Sequence, residues 1–205
     1  MPKILSIHNS HPFYVLKFDN GEKISILKSS FAKRKLNPQM NLSDEEYADL
    51  KKQSFFDRGF YKAMKMLAIK DYTEKEVYLK LIKEKIPEDV IDEIIRYLKN
   101  RGYLNDERIF NYYVKLFFEF KKLGSYLVKK KLWKKGFCGN MIEEFFSNNI
   151  QQIRNYDLKN MQYWLEKKLK KQRVQELSLL EKKKIFDFLI RKGFPDEIIR
   201  DEILD

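Results

Sequence analysis

The sequence is poor in the residues that build covalent, metal or redox chemistry. Among 205 residues there is one cysteine, Cys138, and there are two histidines, His8 and His11. A single cysteine permits no internal disulfide, and these three residues lack the ligand spacing of a zinc site. Cys138 therefore reads as an idle thiol, and His8 and His11 as loop residues flanking Asn9-Ser10. Seven glycines and five prolines are too few for a collagen-like chain or a Gly/Pro-rich disordered one. Neither G-x-x-x-x-G-K-S/T nor G-x-G-x-x-G occurs, so nucleotide hydrolysis has no support. Uncharged runs fall short of the roughly 18 to 20 apolar residues of a membrane span. Met1-Pro2-Lys3 leads into no signal-peptide core. A cytoplasmic protein without a membrane partner is expected, with no catalytic residue, cofactor or metal. The acidic runs Asp44-Glu45-Glu46 and Glu88-Asp89 fall in first turns of helices, where carboxylates complement the helix dipole.

What is abundant is charge and aromatic bulk. Forty-two basic residues against 30 acidic ones leave +12, and 16 Phe with 12 Tyr can fill the core of one or two ordinary domains. The first 27 residues have a period of two. Tyr14, Leu16 and Phe18 alternate with other residues, Asn20-Gly21 intervenes, and Ile24 and Ile26 resume the alternation, which is a hairpin signal. Lys3 to Ile7 adds a third strand, Asn9 to Pro12 forms the break, and a helix over Ser30 to Leu36 is expected to cover the sheet.

From Ser43 the period lengthens to about 3.6. Ser43 with Glu46 and Thr73 with Glu76 are capping boxes. Phe56, Phe60, Ala63, Met64 and Leu67 share one face, and Val77, Leu81 and Ile82 another. Pro87 sits just inside the next helix, ahead of Val90, Ile91, Ile94, Ile95 and Leu98, and Gly102 stops it. Phe110, Tyr113, Phe117 and Phe120 recur on one helical face, which favours a core over the alternative of a base-stacking platform.

The chain repeats. Leu81-Ile82-Lys83-Glu84-Lys85-Ile86 aligns with Leu132-Trp133-Lys134-Lys135-Gly136-Phe137 and with Leu189-Ile190-Arg191-Lys192-Gly193-Phe194, at spacings of 51 and 57 residues. Ile91, Ile142 and Ile199 share one offset; Ile95, Phe146 and Ile203 share the next turn. An aromatic-rich helix precedes each copy, roughly Ser54 to Ile69, Asp106 to Lys122 and Asp157 to Gln172. The expected fold is mainly α: three tandem three-helix repeats (43–104, 105–152, 153–205) in an elongated array, after a small three-stranded extension with a short helix (1–42).

The excess charge is local. Residues 106–137 hold nine bases and three acids, and residues 157–193 hold eleven and five. Lys121, Lys122, Lys129, Lys130, Lys131, Lys134 and Lys135 form one cluster; Lys167, Lys168, Lys170, Lys171, Arg173, Lys182, Lys183 and Lys184 form another. Consecutive lysines wrap round a helix instead of pairing with acids at i+4, so a polyanion or acidic-protein surface competes with the plainer reading of solvated helix faces. The scarcity of arginine forks argues for phosphate contacts without sequence reading.

Tyr103-Leu104-Asn105-Asp106-Glu107-Arg108-Ile109-Phe110, then Gly124, then Leu132-Trp133-Lys134-Lys135-Gly136-Phe137 resemble the central signature of RecX regulatory proteins. The start at Thr73-Glu74-Lys75-Glu76-Val77 is similar to that family's first repeat, and Lys192-Gly193-Phe194 to its third. Asn105 stands where the family usually has Asp, Tyr72 where Arg commonly precedes the cap, and Leu123 where Lys or Arg often precedes the glycine. The resemblance implies a non-enzymatic modulator of the RecA recombinase; a monomer is expected. Such a protein lies along the RecA filament on single-stranded DNA, blocks strand exchange and co-protease activity, and favours disassembly. The rival binding reading is a helical array that takes up nucleic acid without RecA; an enzyme would need a pocket where carboxylates and histidines converge.

Overall fold

The structure, a computed structural model, describes residues 1–170 and 174–203, the side chain of Gln175 excepted. It divides into two compact units, residues 1–105 and 106–205. Lys171 and Arg173 of the second lysine cluster lie outside the described residues.

The first unit opens with an antiparallel sheet of order β1-β2-β3: β1 Ile4–Ser10, β2 Phe13–Phe18 and β3 Lys23–Leu27. Alternation puts Ile4, Leu16, Phe18, Ile24 and Ile26 on one buried face. The Asn20-Gly21 turn is present, with Gly21 at φ 82°. The first strand runs three residues further than expected, to Ser10, because His8, Asn9 and Ser10 keep pairing with Val15, Tyr14 and Phe13; only His11-Pro12 is left for the turn.

The expected helix over Ser30 to Leu36 is a single turn instead, α1 (Lys28–Ala32), and it does not cover the sheet. Beyond it the chain leaves helical geometry; Arg34 pairs with Asp49 at 2.6 Å, and Leu36 and Met40 still reach the core. The cover is α2 (Asp44–Leu67), 24 residues long and starting at the Ser43 capping box. Its first turns bring Tyr47 and Leu50 onto the sheet, and its later turns bring Ala63 and Met66 into the core of the first repeat. Asp57, 1% exposed, ties the two together. Its carboxylate accepts from the Leu27 amide (2.7 Å), the Ser30 hydroxyl (2.8 Å) and the Gln53 amide (2.9 Å).

The repeat continues with α3 (Glu74–Lys83) behind the Thr73 capping box and α4 (Glu88–Asn100). Val90, Ile91, Ile94, Ile95 and Leu98 are buried as expected, whereas Ile82 is exposed. Pro87 caps the helix from one position outside it, a place that equally tolerates the missing N–H. Tyr72, at the position where the family commonly has Arg, packs against this core with Lys70 over its ring at 4.4 Å.

The second unit holds two further three-helix repeats. The first consists of α5 (Asp106–Lys115), which runs into a π turn at Leu116–Phe120, then α6 (Ser125–Lys135) and α7 (Gly139–Asn148). The second consists of α8 (Ile150–Leu169), a 3₁₀ turn at Val174–Glu176, α9 (Leu179–Lys192) and α10 (Asp196–Ile203). The repeat alignment holds in three dimensions. Leu81, Leu132 and Leu189 are fully buried, as are Ile91, Ile142 and Ile199. Lys85, Gly136 and Gly193 all adopt the left-handed conformation, at φ 57°, 92° and 89°, so each middle helix ends in the same reversed residue. The equivalent Ile86, Phe137 and Phe194 then turn inward.

Three boundaries differ from the periodicity. The leading helices of the first and third repeats begin at Asp44 and Ile150 rather than Ser54 and Asp157. In the second repeat the π turn moves Phe120 out of the core: it is 71% exposed, while Phe118 is fully buried. The Lys121 amide reaches back five residues to the Leu116 carbonyl, so this turn holds one residue more than an α turn and every later side chain is rotated.

Candidate basic interface

The second unit is organised by α8. Along one face Asp157, Asn160 and Trp164 reach the loop ahead of α6. The Ser125 amide donates to Asp157 at 2.7 Å, the Asn160 amide donates to the carbonyls of Phe118 (2.9 Å) and Leu123 (3.3 Å), and the Trp164 indole N–H donates to the Lys122 carbonyl (2.7 Å). Helix α6 has glycine at its N-cap, Gly124, with no side-chain acceptor of its own, and a carboxylate from the next repeat supplies one. Glycine is required there by contact: a Cβ would stand 2.3 Å from the Gly193 backbone carbon. The Gly124 amide donates to Lys192 and the Tyr126 amide to Gly193, both at 3.0 Å. Asp157 is 2% exposed, and burial pushes its carboxyl up to about 6 against the opposing pull of its bonds to Ser125.

This scaffold seats two groups of lysines over aromatic rings. In the first, Tyr113 and Phe117 stack with ring centres 5.6 Å apart. Lys121 and Lys131 lie 5.6 and 5.9 Å from the Phe117 centre, and Lys135 lies 4.6 Å from that of Tyr113. In the second, Trp164 and Phe188 meet edge to face at 5.8 Å. Lys167 lies 5.3 Å from Trp164, Lys168 lies 4.7 Å from Phe188, and Lys192 reaches 3.6 Å from Trp164. Its own desolvation, then the charges of Lys167 and Lys168, hold the Lys192 ammonium below the usual lysine range. Each cation–ring contact is worth roughly 0.5–1 kcal/mol at an exposed site and holds a flexible ammonium in place. The arrangement can bind phosphate or carboxylate, and among the described residues no group of three metal-ligating side chains occurs.

The remaining lysines are dispersed. Lys129 is drawn to Glu143 of the following helix at 2.6 Å, so one of the locally uncompensated lysines is paired across helices. Lys130, Lys134, Lys170, Lys183 and Lys184 are exposed, and Lys182 is half-buried. The Lys122 backbone, at φ 52°, forms the Trp164 contact while its side chain is half-buried. The signature residues are largely structural. Leu104, Phe110, Gly124 and Leu132 are buried, Gly136 reverses the chain, and Asp106 opens α5 after Asn105. Tyr103 is exposed. Leu123 sits in the core, consistent with the loss of a basic residue there.

Sequence reading missed Lys192, Asp157, Asn160 and Trp164. Lys192 had a signal, since it occupies the repeat position of Lys135, and both lysines lie over a ring from the leading helix of their own repeat. The α8 residues had none, because their partners are backbone groups about 32 to 42 residues away.

Comparison with known proteins accords with this architecture. Family models for the first and third three-helix domains of RecX match residues 60–98 and 155–203. The chain is 30% identical to the regulatory protein RecX of Finegoldia magna over 195 residues, covering 91% of this chain and 90% of that one. The chain belongs to the RecX family. It is 28% identical over 192 residues to the RecX of Streptococcus sanguinis, covering 94% of this chain and 72% of the relative. A crystal structure of a regulatory protein RecX superposes with a TM-score of 0.68 at 18% identity, covering the whole of both chains, which is a likeness of fold. The crystal structure of RecX from Lactobacillus salivarius gives 0.58 at 26% identity, covering 73% of this chain and 95% of that one. RecX relatives are named regulatory proteins, and this chain is accordingly a regulatory protein and not an enzyme. Among the described residues no helix is long and apolar enough to cross a membrane.

Proposed function

We propose that this chain regulates the RecA recombinase by binding the RecA filament on single-stranded DNA in the cytoplasm. Bound there as a monomer, it limits strand exchange and co-protease activity and favours filament disassembly. The observation that carries the reading is the pair of ring-supported lysine groups in one compact unit, Lys121, Lys131 and Lys135 with Lys167, Lys168 and Lys192. Family membership supplies RecA as the partner; the lysines supply the means, through acidic protein surface and DNA phosphates together. Contacts that are individually weak add up when repeated along a polymer lattice.

The test is RecA-driven strand exchange with two charge-reversal variants, Lys121→Glu/Lys131→Glu/Lys135→Glu and Lys167→Glu/Lys168→Glu. Each is expected to need at least about tenfold more protein for half-inhibition, since several phosphate or carboxylate contacts become repulsive. Full inhibition by both variants, with unchanged far-UV circular dichroism, would overturn the role of these lysines. The rival reading predicts DNA affinity that falls steeply with salt whether or not RecA is present, while co-sedimentation with RecA polymerised without DNA stays at background.

A further inference from the structure

The π turn does more than eject one side chain. Tyr112 and Phe120 are eight residues apart, which in an unbroken α-helix leaves them about 80° apart round the axis. The i→i+5 bond from the Lys121 amide to the Leu116 carbonyl packs an extra residue into the turn and closes most of that angle. The two rings thus come to one side. Both line one surface cavity of about 350 Å³, with Lys115 and Leu116 between them. Tyr112 is 61% and Phe120 71% exposed, and this face points away from the core that buries Phe110, Phe117 and Phe118.

The rings are open. Among the described residues Phe120 makes no ring contact, and Tyr112 meets only Tyr113, at 70° between the ring planes. The turn is also held from behind, because the Phe118 carbonyl that it frees is taken by buried Asn160 at 2.9 Å. The charge beside the cavity is basic by one unit: Lys115 lines it at 4.0 Å from Glu119, whose carboxylate also accepts from the Tyr156 hydroxyl at 3.0 Å, and Lys121 follows Phe120 directly, its ammonium 5.6 Å from the centre of the Phe117 ring.

We infer that Tyr112 and Phe120 form a stacking site for unpaired nucleobases, with Lys115 and Lys121 on the adjoining phosphates. Exposed ring faces flanked by lysines suit a single strand, whose bases offer π faces and whose backbone offers anions. A purely apolar protein segment would gain nothing from the lysines. The site rests on the single-stranded DNA contact of the proposed function and is independent of RecA.

Its test uses the full chain and DNA alone, by fluorescence anisotropy with a labelled oligothymidylate and an abasic strand of equal length. Tyr112→Ala and Phe120→Ala are each expected to weaken oligothymidylate binding about 5- to 150-fold, the range for losing one stacked base, with less than about twofold change on the abasic strand. Phe120→Trp is expected to restore binding. Unchanged oligothymidylate affinity, or equal losses on both strands, overturns the stacking site. So does loss of RecA co-sedimentation with DNA binding intact, which makes the patch a protein-docking surface. If the natural chain binds neither strand, the inference falls while the RecA reading, tested on filaments, stands.

Discussion

Asp157 gives the sharpest test of how the last two repeats are joined. It is the carboxylate that caps α6 from α8, and its folded-state pKa of about 6 lies above the usual 3.8. The folded form therefore holds a proton that the unfolded form has released between those values. Its stabilising share is fully present below pH 3.8 and is lost as pH rises through 6. A shift of that size corresponds to roughly 3 kcal/mol. Asp157→Asn keeps an oxygen for the Ser125 amide and carries no charge at any pH. The variant should match the natural chain near pH 4 and exceed it at pH 8 by about 1–3 kcal/mol, some of the gain being spent on placing the new amide protons. With a urea slope on the order of 1.5 kcal/mol/M, that is a midpoint shift of about 1–2 M. Tryptophan fluorescence is the natural probe, because both tryptophans, Trp133 and Trp164, belong to this unit and Trp164 is bonded across the junction. Other groups titrate equally in both proteins and cancel in the difference. Identical midpoints at pH 4 and pH 8 for the two proteins would show that the carboxyl titrates normally and that the junction does not desolvate it.

Further outcomes follow from close contacts elsewhere. Gly124→Ala drives a methyl group into the Gly193 backbone and threatens the two amide bonds beside it, so a loss of about 2–5 kcal/mol is expected in thermal unfolding; an unchanged midpoint would mean that the backbones part without cost. Asp57→Ala leaves the Leu27 amide, the Ser30 hydroxyl and the Gln53 amide without their acceptor and should cost about 3 kcal/mol or more, read as accelerated amide hydrogen exchange in β3. Exchange as slow as in the natural chain would remove Asp57 from the support of the sheet. Gly136→Ala meets a left-handed backbone and should cost about 1–2 kcal/mol, whereas Lys85→Gly at the equivalent position should stabilise by up to about 1 kcal/mol; a loss of stability in Lys85→Gly, or no loss in Gly136→Ala, would refute the equivalence of the two turns.

Features that depend on near neighbours in the chain were legible. The alternation through Phe18 and Ile26, the Ser43 and Thr73 capping boxes and the buried faces at Leu81, Leu132 and Leu189 are set by local rules of pattern and capping. Features set by distant backbone were not. Phe120 carries the same period as Phe110 and Phe117, and the change of helix type that turns it outward goes with distant bonds from α8: Asn160 to the Phe118 carbonyl, 42 residues away, and the Tyr156 hydroxyl to Glu119, 37 residues away. Likewise Ser30 to Leu36 has the composition of a covering helix, yet the sheet is covered by Tyr47 and Leu50 of α2, which come from later in the chain. In the lysine clusters, charge density was visible but the rings that fix some lysines and leave others in solvent were not. That selection depends on which face of α6 meets Tyr113 and Phe117 and which face of α9 meets Trp164.

Because α2 is continuous from Asp44 to Leu67, the amino-terminal sheet and the first repeat share a single rod. A protease that clips away the sheet would not release a tidy remainder. It would strip the upper half of that rod, bare Tyr47 and Leu50 to water, and leave Asp57 as a naked carboxylate in the middle of an exposed flank. Shortened versions of the chain meant to keep the repeats are therefore better begun with the sheet retained, or with Tyr47 and Leu50 replaced by polar residues.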